Sequence, residues 1–300
     1  MIAELYIVAE SFENNQCFSV VEIEKKIKSL ANDFIYIRKY KSTNKIFIHP
    51  DIYNVVFIKD IVLSDLLYNP QIAKENIDRD AYNALQKVII ESKTTDISSK
   101  EVIEVLLSEH NENLCHGLIG FSTIPNVKEE YQIIYNLQGW FNYRRYFLGI
   151  YPQNESFFID ECKKYFPNLF FHERNKTSIT AIFDDCPKKI IYHLSALNDK
   201  FYSFDQSNMN RTEVLVKFSQ ISNLDSHASL EGNADRKNDF TFDFNNCDNC
   251  IEMVCCEPHL KLCYSDCSDA FSNERRIYFH EGKQHIHEGK ILIGHIGKHL

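Results

Sequence analysis

The sequence predicts an α+β protein: a mixed, largely helical body followed by a β-rich C-terminal unit. Three observations carry this. Capping motifs followed by apolar residues at helical spacing recur along the first 225 residues, interleaved with short apolar runs. The stretch SHASLEGNADRKND (226–239) is polar and aperiodic, and reads as a linker or exposed loop. From residue 240 onward the pattern changes to short alternating segments: DFTFDF, IEMVC, HLKLCY, RIYFH and KILIGHI. The expected division is therefore a body over 1–225, the polar stretch 226–239, and a β-rich unit over 240–300.

Taken in order, LYIVAE alternates weakly and predicts a strand. Ser19-Val-Val-Glu22 fits a capping box, and Val20, Ile23, Ile27 and Leu30 follow at helical spacing. FIYIRKY (34–40) and KIFIH (45–49), joined by STN, predict a hairpin, and VVFI (55–58) a further strand. Two helices are expected between Asp78 and His110, the first capped by Asp80 and the second by the box Ser98-Ser-Lys-Glu101. LCHGLIGF (114–121) is strand-like. Residues 127–148 are helical in pattern and aromatic, with Tyr131, Tyr135, Trp140, Phe141, Tyr143, Tyr146 and Phe147; Arg144 and Arg145 are expected to snorkel from this helix. Further helices are expected over Glu155–Phe166, from Pro187, and over Arg211–Ser219.

The 44% apolar share, with 22 phenylalanines and 16 tyrosines, is ample for a core. A net charge of −9 argues against general nucleic-acid binding, which needs clustered Lys and Arg, but leaves room for a local basic patch. No run of eighteen apolar residues predicts a membrane span. MIAELYIVAESFENNQ lacks a basic start and does not read as a signal peptide, so a cytoplasmic location and free thiols are expected. With nine glycines there is no GxGxxG or Walker pattern, and no serine nucleophile elbow.

Two constellations carry chemistry. Cys247 and Cys250 form a Cys-x-x-Cys knuckle, and Cys256-x-x-His259 supplies the second half of a tetrahedral zinc grammar; Cys255, Cys263 and Cys267 lie close by. Against it, a strand over IEMVC sends Cys255 and Cys256 to opposite faces, and buried cysteines also serve as small hydrophobes. No cofactor is expected, with zinc on those four residues as the alternative. The second constellation is Glu257, His259, Lys261, Arg276, Tyr278, His280, His295 and His299. Strand alternation puts His259 with Lys261, Arg276 with Tyr278 and His280, and His295 on the face of Ile293, with Gly294 and Gly297 permitting close backbone approach. His259, Lys261, Arg276, Tyr278 and His295 are the candidate catalytic residues for phosphodiester cleavage: histidine moves protons while Arg and Lys hold phosphate. The bland alternative is a solvated polar face. Leu260, Leu262, Ile277, Phe279 and Ile296 are expected inward.

RIYFH followed by KILIGHIGKHL resembles the end of RelE-type ribosome-dependent RNase toxins. Those pair an Arg-bearing strand with a final strand ending in basic residues, and Arg276, His295, Lys298 and His299 match that pattern. The likeness covers the last fifth of the chain and implies ribonuclease chemistry there. CDNC with His259 is similar to Cys-rich HNH nucleases, without their Asn and second His at the required spacing. The whole chain, rich in Phe and Tyr and low in Gly, resembles uncharacterised proteins of bacterial defence loci. That likeness implies a partner-binding or regulatory subunit of a multi-protein, anti-phage assembly, its aromatic residues serving an interface with another protein subunit. The alternative expectation is a nuclease using the C-terminal His/Arg/Lys face. No membrane partner is expected.

Overall fold

The computed structural model describes residues 1–13, 18–124, 126–127, 130–232, 234–262 and 274–300. It is mixed α+β, and among the described residues no helix is long and apolar enough to cross a membrane. The chain forms two compact units, Met1–Arg144 and Arg145–Leu300. The contact boundary thus falls at 144/145 and not within 226–239.

Unit 1 begins with β1 (Ile2–Ile7), α1 (Val20–Arg38) and β2 (Asn44–Ile48). Ser19 caps α1 through the expected box, its hydroxyl accepting from the Glu22 amide while the Glu22 carboxylate accepts from the Ser19 amide. The expected hairpin over 34–49 is instead the end of this helix followed by a strand. Phe34 and Ile37 extend the buried stripe of Ile23, Ile27 and Leu30, so helical period prevails over the local alternation of FIYI. A two-stranded piece, β3 (Val56–Ile58) with β4 (Ile61–Val62), precedes α2 (Leu63–Tyr68), α3 (Pro70–Asn76) and α4 (Arg79–Glu91). Asp78, not Asp80, caps α4, accepting from the Ala81 amide at 2.8 Å. Then come β5 (Lys93–Thr94), α5 (Ser99–Glu104), β6 (Leu114–Ile119), β7 (Ile133–Ile134) and α6 (Leu137–Ile150). The aromatic segment expected to be one helix is therefore a short strand and then a helix.

The main sheet of unit 1 runs β5-β2-β1-β6-β7 with every pairing parallel. That is a doubly wound order, reversing direction between β1 and β6. Arg144 and Arg145 do not snorkel; both are buried. Arg144 lies over the Trp140 ring in unit 1. Arg145 donates to the Tyr165 carbonyl and pairs with Asp199 at 2.7 Å in unit 2.

In unit 2, α7 (Glu155–Tyr165), β8 (Leu169–Phe171), α8 (Asn175–Ser178), α9 (Pro187–Lys200) and α10 (Arg211–Ile221) are followed by the hairpin β9 (Thr241–Asn245) and β10 (Ile251–Cys255). The last strands are β11 (His259–Lys261), β12 (Arg275–His280) and β13 (Ile291–Lys298). They join β8 in the order β11-β12-β13-β8, with β13 parallel to β8 and the other pairings antiparallel. Leu260, Leu262, Ile277, Phe279, Ile291, Ile293 and Ile296 face one core, together with apolar residues of α7, α9 and α10. Tyr278 and Leu292 face a second core, built with Phe242, Phe244 and Val254 of the β9–β10 hairpin. The sheet therefore lies between a helical layer and a hairpin. The stretch 226–239, expected to be a linker or exposed loop, lies in this unit: Ala228 is buried, and Ser229 pairs antiparallel with His259 at the edge of β11.

Candidate active site

The register of unit 2 builds two cross-strand rows. His259 lies opposite Tyr278, which lies opposite His295; Lys261 lies opposite Arg276, which lies opposite Gly297. Ser229 extends the first row by one position. The strands thus bring the five candidate catalytic residues into adjacent positions, by a route that simple alternation does not give. Strict alternation along β13 would put His295 on the face of Ile293. The β12–β13 pairing slips between Tyr278 and Phe279, so that Phe279 meets Ile293 and Tyr278 meets His295. This bulge leaves Gly294 unmatched and re-aims His295 to the side of Tyr278. Glycine is required there: a Cβ on Gly294 would come 2.4 Å from the Phe242 ring and 2.9 Å from the Cys256 sulfur.

The rows are not a solvated polar face. Tyr278 is fully buried, and His259, Arg276 and His295 are only 4%, 6% and 4% exposed. Their burial is answered by polar partners, several of them outside the expected set. The Tyr278 hydroxyl donates to Glu231 Oε1 at 3.1 Å. His259 Nδ1 and His299 Nε2 each lie 3.3 Å from the same oxygen, the former without full hydrogen-bond alignment. His259 Nε2 lies 3.1 Å from Ser229 Oγ. Burial, reinforced by Arg276 and opposed by Glu231, pushes the His259 ring down to about 4, so it is neutral at neutral pH. Burial and the Glu231 carboxylate push the Tyr278 phenol up, keeping it a donor. His295 Nε2 lies 2.9 Å from the Lys298 carbonyl, and burial pushes this ring too down to about 4.

Beside this cluster opens a cavity of about 420 Å³ lined by Glu274, Arg276, Lys298 and His299. An adjoining cavity of about 330 Å³ shares Glu274 and Lys298 and is also lined by Arg275, which pairs with Asp185 at 2.7 Å. Lys261 is half-buried opposite Arg276. Glu257 and His280 do not join the cluster. Glu257 and Glu281 pair with Arg211, and His280 Nδ1 accepts from the Gly282 amide.

The proposed zinc ligands are not brought together. Cys247 and Cys250 are exposed at the β9–β10 turn, whereas Cys256 is buried at the far end of β10. An extended strand of that length separates the two ends by about 15–20 Å, while a zinc site needs all its sulfurs about 2.3 Å from one ion. The His259 nitrogens face Ser229 and Glu231 instead. Among the described residues no group of three His, Cys, Asp or Glu could hold a metal ion. Cys263 and Cys267 lie outside the described residues.

Unit 1 has cavities of its own: one of about 440 Å³, lined by Glu104, His110, Tyr131 and Gln132 among others, and one of about 310 Å³ past the carboxyl ends of β1 and β2, lined by Glu10, Glu13, Asp51, Asn54 and Lys100 among others. The charged side chains of both are exposed or half-buried, without the buried, mutually oriented His259–Tyr278–His295 row of unit 2.

Ser229, Glu231 and Glu274 were not singled out from the sequence. Ser229 and Glu231 sit in a polar, aperiodic stretch whose pairing with β11 is long-range, so no local pattern marks them. Comparison with protein-family models, with characterised proteins and with solved structures finds no match to this chain.

Proposed function

We propose that unit 2 is a phosphodiester-cleaving module acting on nucleic acid. The observation that carries this reading is the convergence of Tyr278, His259 and His299 on one Glu231 oxygen, beside a cavity walled by Arg276 and Lys298. Arg276 and Lys298 are the cations that would hold a phosphate and offset charge developing on it. His299, the one imidazole of the cluster that lines the cavity, would move the proton. Glu231 would hold Nε2 of that ring, leaving Nδ1 for the substrate, with Tyr278 and His259 fixing the carboxylate in turn. His295 has a different part from the one its sequence suggests. It braces the end of β13 through the Lys298 carbonyl and so positions Lys298 and His299.

The test is cleavage of labelled RNA and DNA by the full chain, beside His299→Ala and Lys298→Ala. Both side chains are accessible, so both variants should keep the wild-type melting temperature. His299→Ala should slow cleavage by roughly 10²–10⁴-fold, the usual cost of losing a general acid or base. Cleavage unchanged in both variants would remove this site. No cleavage by the wild type, alone or with a protein that co-purifies with it, would favour the partner-binding subunit instead.

A further inference from the structure

Phosphate-binding cations and a cavity-lining histidine do not account for Ser229. This half-buried serine is held against β11 by two backbone hydrogen bonds, its amide donating to the His259 carbonyl at 3.2 Å and its carbonyl accepting from the His259 amide at 2.9 Å. That pairing sets its hydroxyl 3.1 Å from His259 Nε2, while the other ring nitrogen lies 3.3 Å from Glu231 Oε1. A hydroxyl on one imidazole nitrogen and a carboxylate on the other is the arrangement that activates a serine nucleophile, and it is recognised by geometry, not by sequence order. The His259 ring is 4% exposed and lies between the Ser229 hydroxyl and the Glu231 carboxylate, the second contact close in distance but short of full hydrogen-bond alignment. With its proton on Nδ1, toward Glu231, Nε2 presents a lone pair to the Ser229 hydroxyl. The Leu230 and Glu231 amides, which directly follow the serine, have no backbone hydrogen-bond partner among the described residues. Amides in that position serve as donors to charge on a reacting centre in serine enzymes.

We propose that Ser229 is a nucleophile, activated by His259 and positioned through Glu231, that forms a covalent phosphoseryl intermediate with a nucleic-acid phosphodiester. The substrate rests on the reading of the preceding subsection; the nucleophile rests on the Ser229–His259–Glu231 geometry alone. In the first step Ser229 Oγ attacks phosphorus, its proton passes to His259 Nε2, and the O–P bond to the leaving strand breaks as that oxygen takes a proton from His299 at the cavity wall. In the second, His299 takes a proton from water, the hydroxide attacks phosphorus, and Ser229 Oγ leaves and recovers its proton from His259. No oxidant, reductant or further reactant is needed. Because the protein supplies the nucleophile, the substrate needs no 2′-hydroxyl, so DNA is cleaved as well as RNA.

The experiment treats the full chain with a fluorophosphonate, whose fluoride leaves as Oγ bonds to phosphorus, and locates the adduct by peptide mass spectrometry. The expected result is one adduct, on Ser229, absent from Ser229→Ala. The isosteric Glu231→Gln should slow labelling by roughly 10²-fold or more at an unchanged melting temperature, as loss of the orienting carboxylate does in such triads, and Glu231→Asp should restore part of the rate. DNA cleavage by Ser229→Ala is measured in parallel. No adduct on Ser229, or cleavage that persists in Ser229→Ala, overturns the covalent step and leaves the phosphodiester reading standing. Labelling of Ser229 without cleavage of either nucleic acid overturns the phosphodiester substrate and leaves the nucleophile standing.

Discussion

Unit 2 buries three histidines whose rings are pushed down to about 4: His193, His259 and His295, at 1%, 4% and 4% exposure. Desolvation is the main cause in each. At His259 the Glu231 carboxylate opposes it, and at His295 the nearby Arg174 charge adds to it. An unfolded histidine titrates near 6.5, so between that pH and 4 the unfolded chain binds more protons than the folded one. Stability is then present above pH 6.5 and is lost as pH falls toward 4. For a ring moved from 6.5 to about 4, the loss from pH 7.5 to pH 5 is about 2 kcal/mol. His193 and His295 together therefore cost about 4 kcal/mol over that range, a large share of a domain's usual 5–15 kcal/mol. His259 costs less than its burial suggests if its protonated ring closes on Glu231. The assay is urea unfolding followed at several pH values, with the slope m compared across them. The unfolding midpoint of unit 2 should fall steadily from pH 7 to pH 5. His295→Gln keeps a donor for the Lys298 carbonyl and removes the titration, so it should recover about 2 kcal/mol of that loss. A wild-type midpoint that does not move between pH 7 and 5, or a His295→Gln variant with the full wild-type slope, would refute the reasoning.

Two further outcomes follow from packing. Phe279 is fully buried, edge-on to Phe201 with ring centroids 5.7 Å apart, so Phe279→Ala should cost roughly 3–5 kcal/mol in denaturant unfolding; under 1 kcal/mol would show that it is not core. Gly294→Ala places a Cβ against Phe242 and Cys256, so it should cost about 1–3 kcal/mol by overpacking and also lower cleavage by displacing His295; wild-type stability would mean that the hairpin yields freely at the bulge.

The secondary structure was legible wherever one periodicity was unopposed. The Ser19 box and the Pro187 start mark helices because capping and helical spacing agree. The alternation in RIYFH separates Ile277 and Phe279 from Tyr278 as the structure does. FIYIRKY misled because its alternation is also compatible with a helix, and the stripe begun at Ile23 decided the matter through tertiary burial. The polar stretch 226–239 shows a related limit. It looks like a linker or exposed loop, and residues 228–231 are held by β11 and by Tyr278, partners about thirty to fifty positions away in sequence. No local pattern encodes such pairing.

The site shows the same limit in sharper form. Alternation finds His259, Lys261, Arg276 and Tyr278, because each strand's own period decides which face they take. It sends His295 the wrong way, because a bulge at Gly294 inserts one residue between the two periods. It does not find Glu231 at all, although that carboxylate is where Tyr278, His259 and His299 meet. A half-buried carboxylate favours donors, and buried imidazoles and a phenol need acceptors. Truncating Glu231, unlike the isosteric glutamine that keeps an acceptor oxygen, would therefore leave several groups unsatisfied at once, while replacing His299, at the cavity wall, would leave one. The cluster's dependence on Glu231 is physical whatever the reaction, whereas His299 stands at the cavity wall beside Arg276 and Lys298. The accessible His299 and Lys298, with the buried Arg276 lining the same cavity, are the groups the proposed chemistry would use.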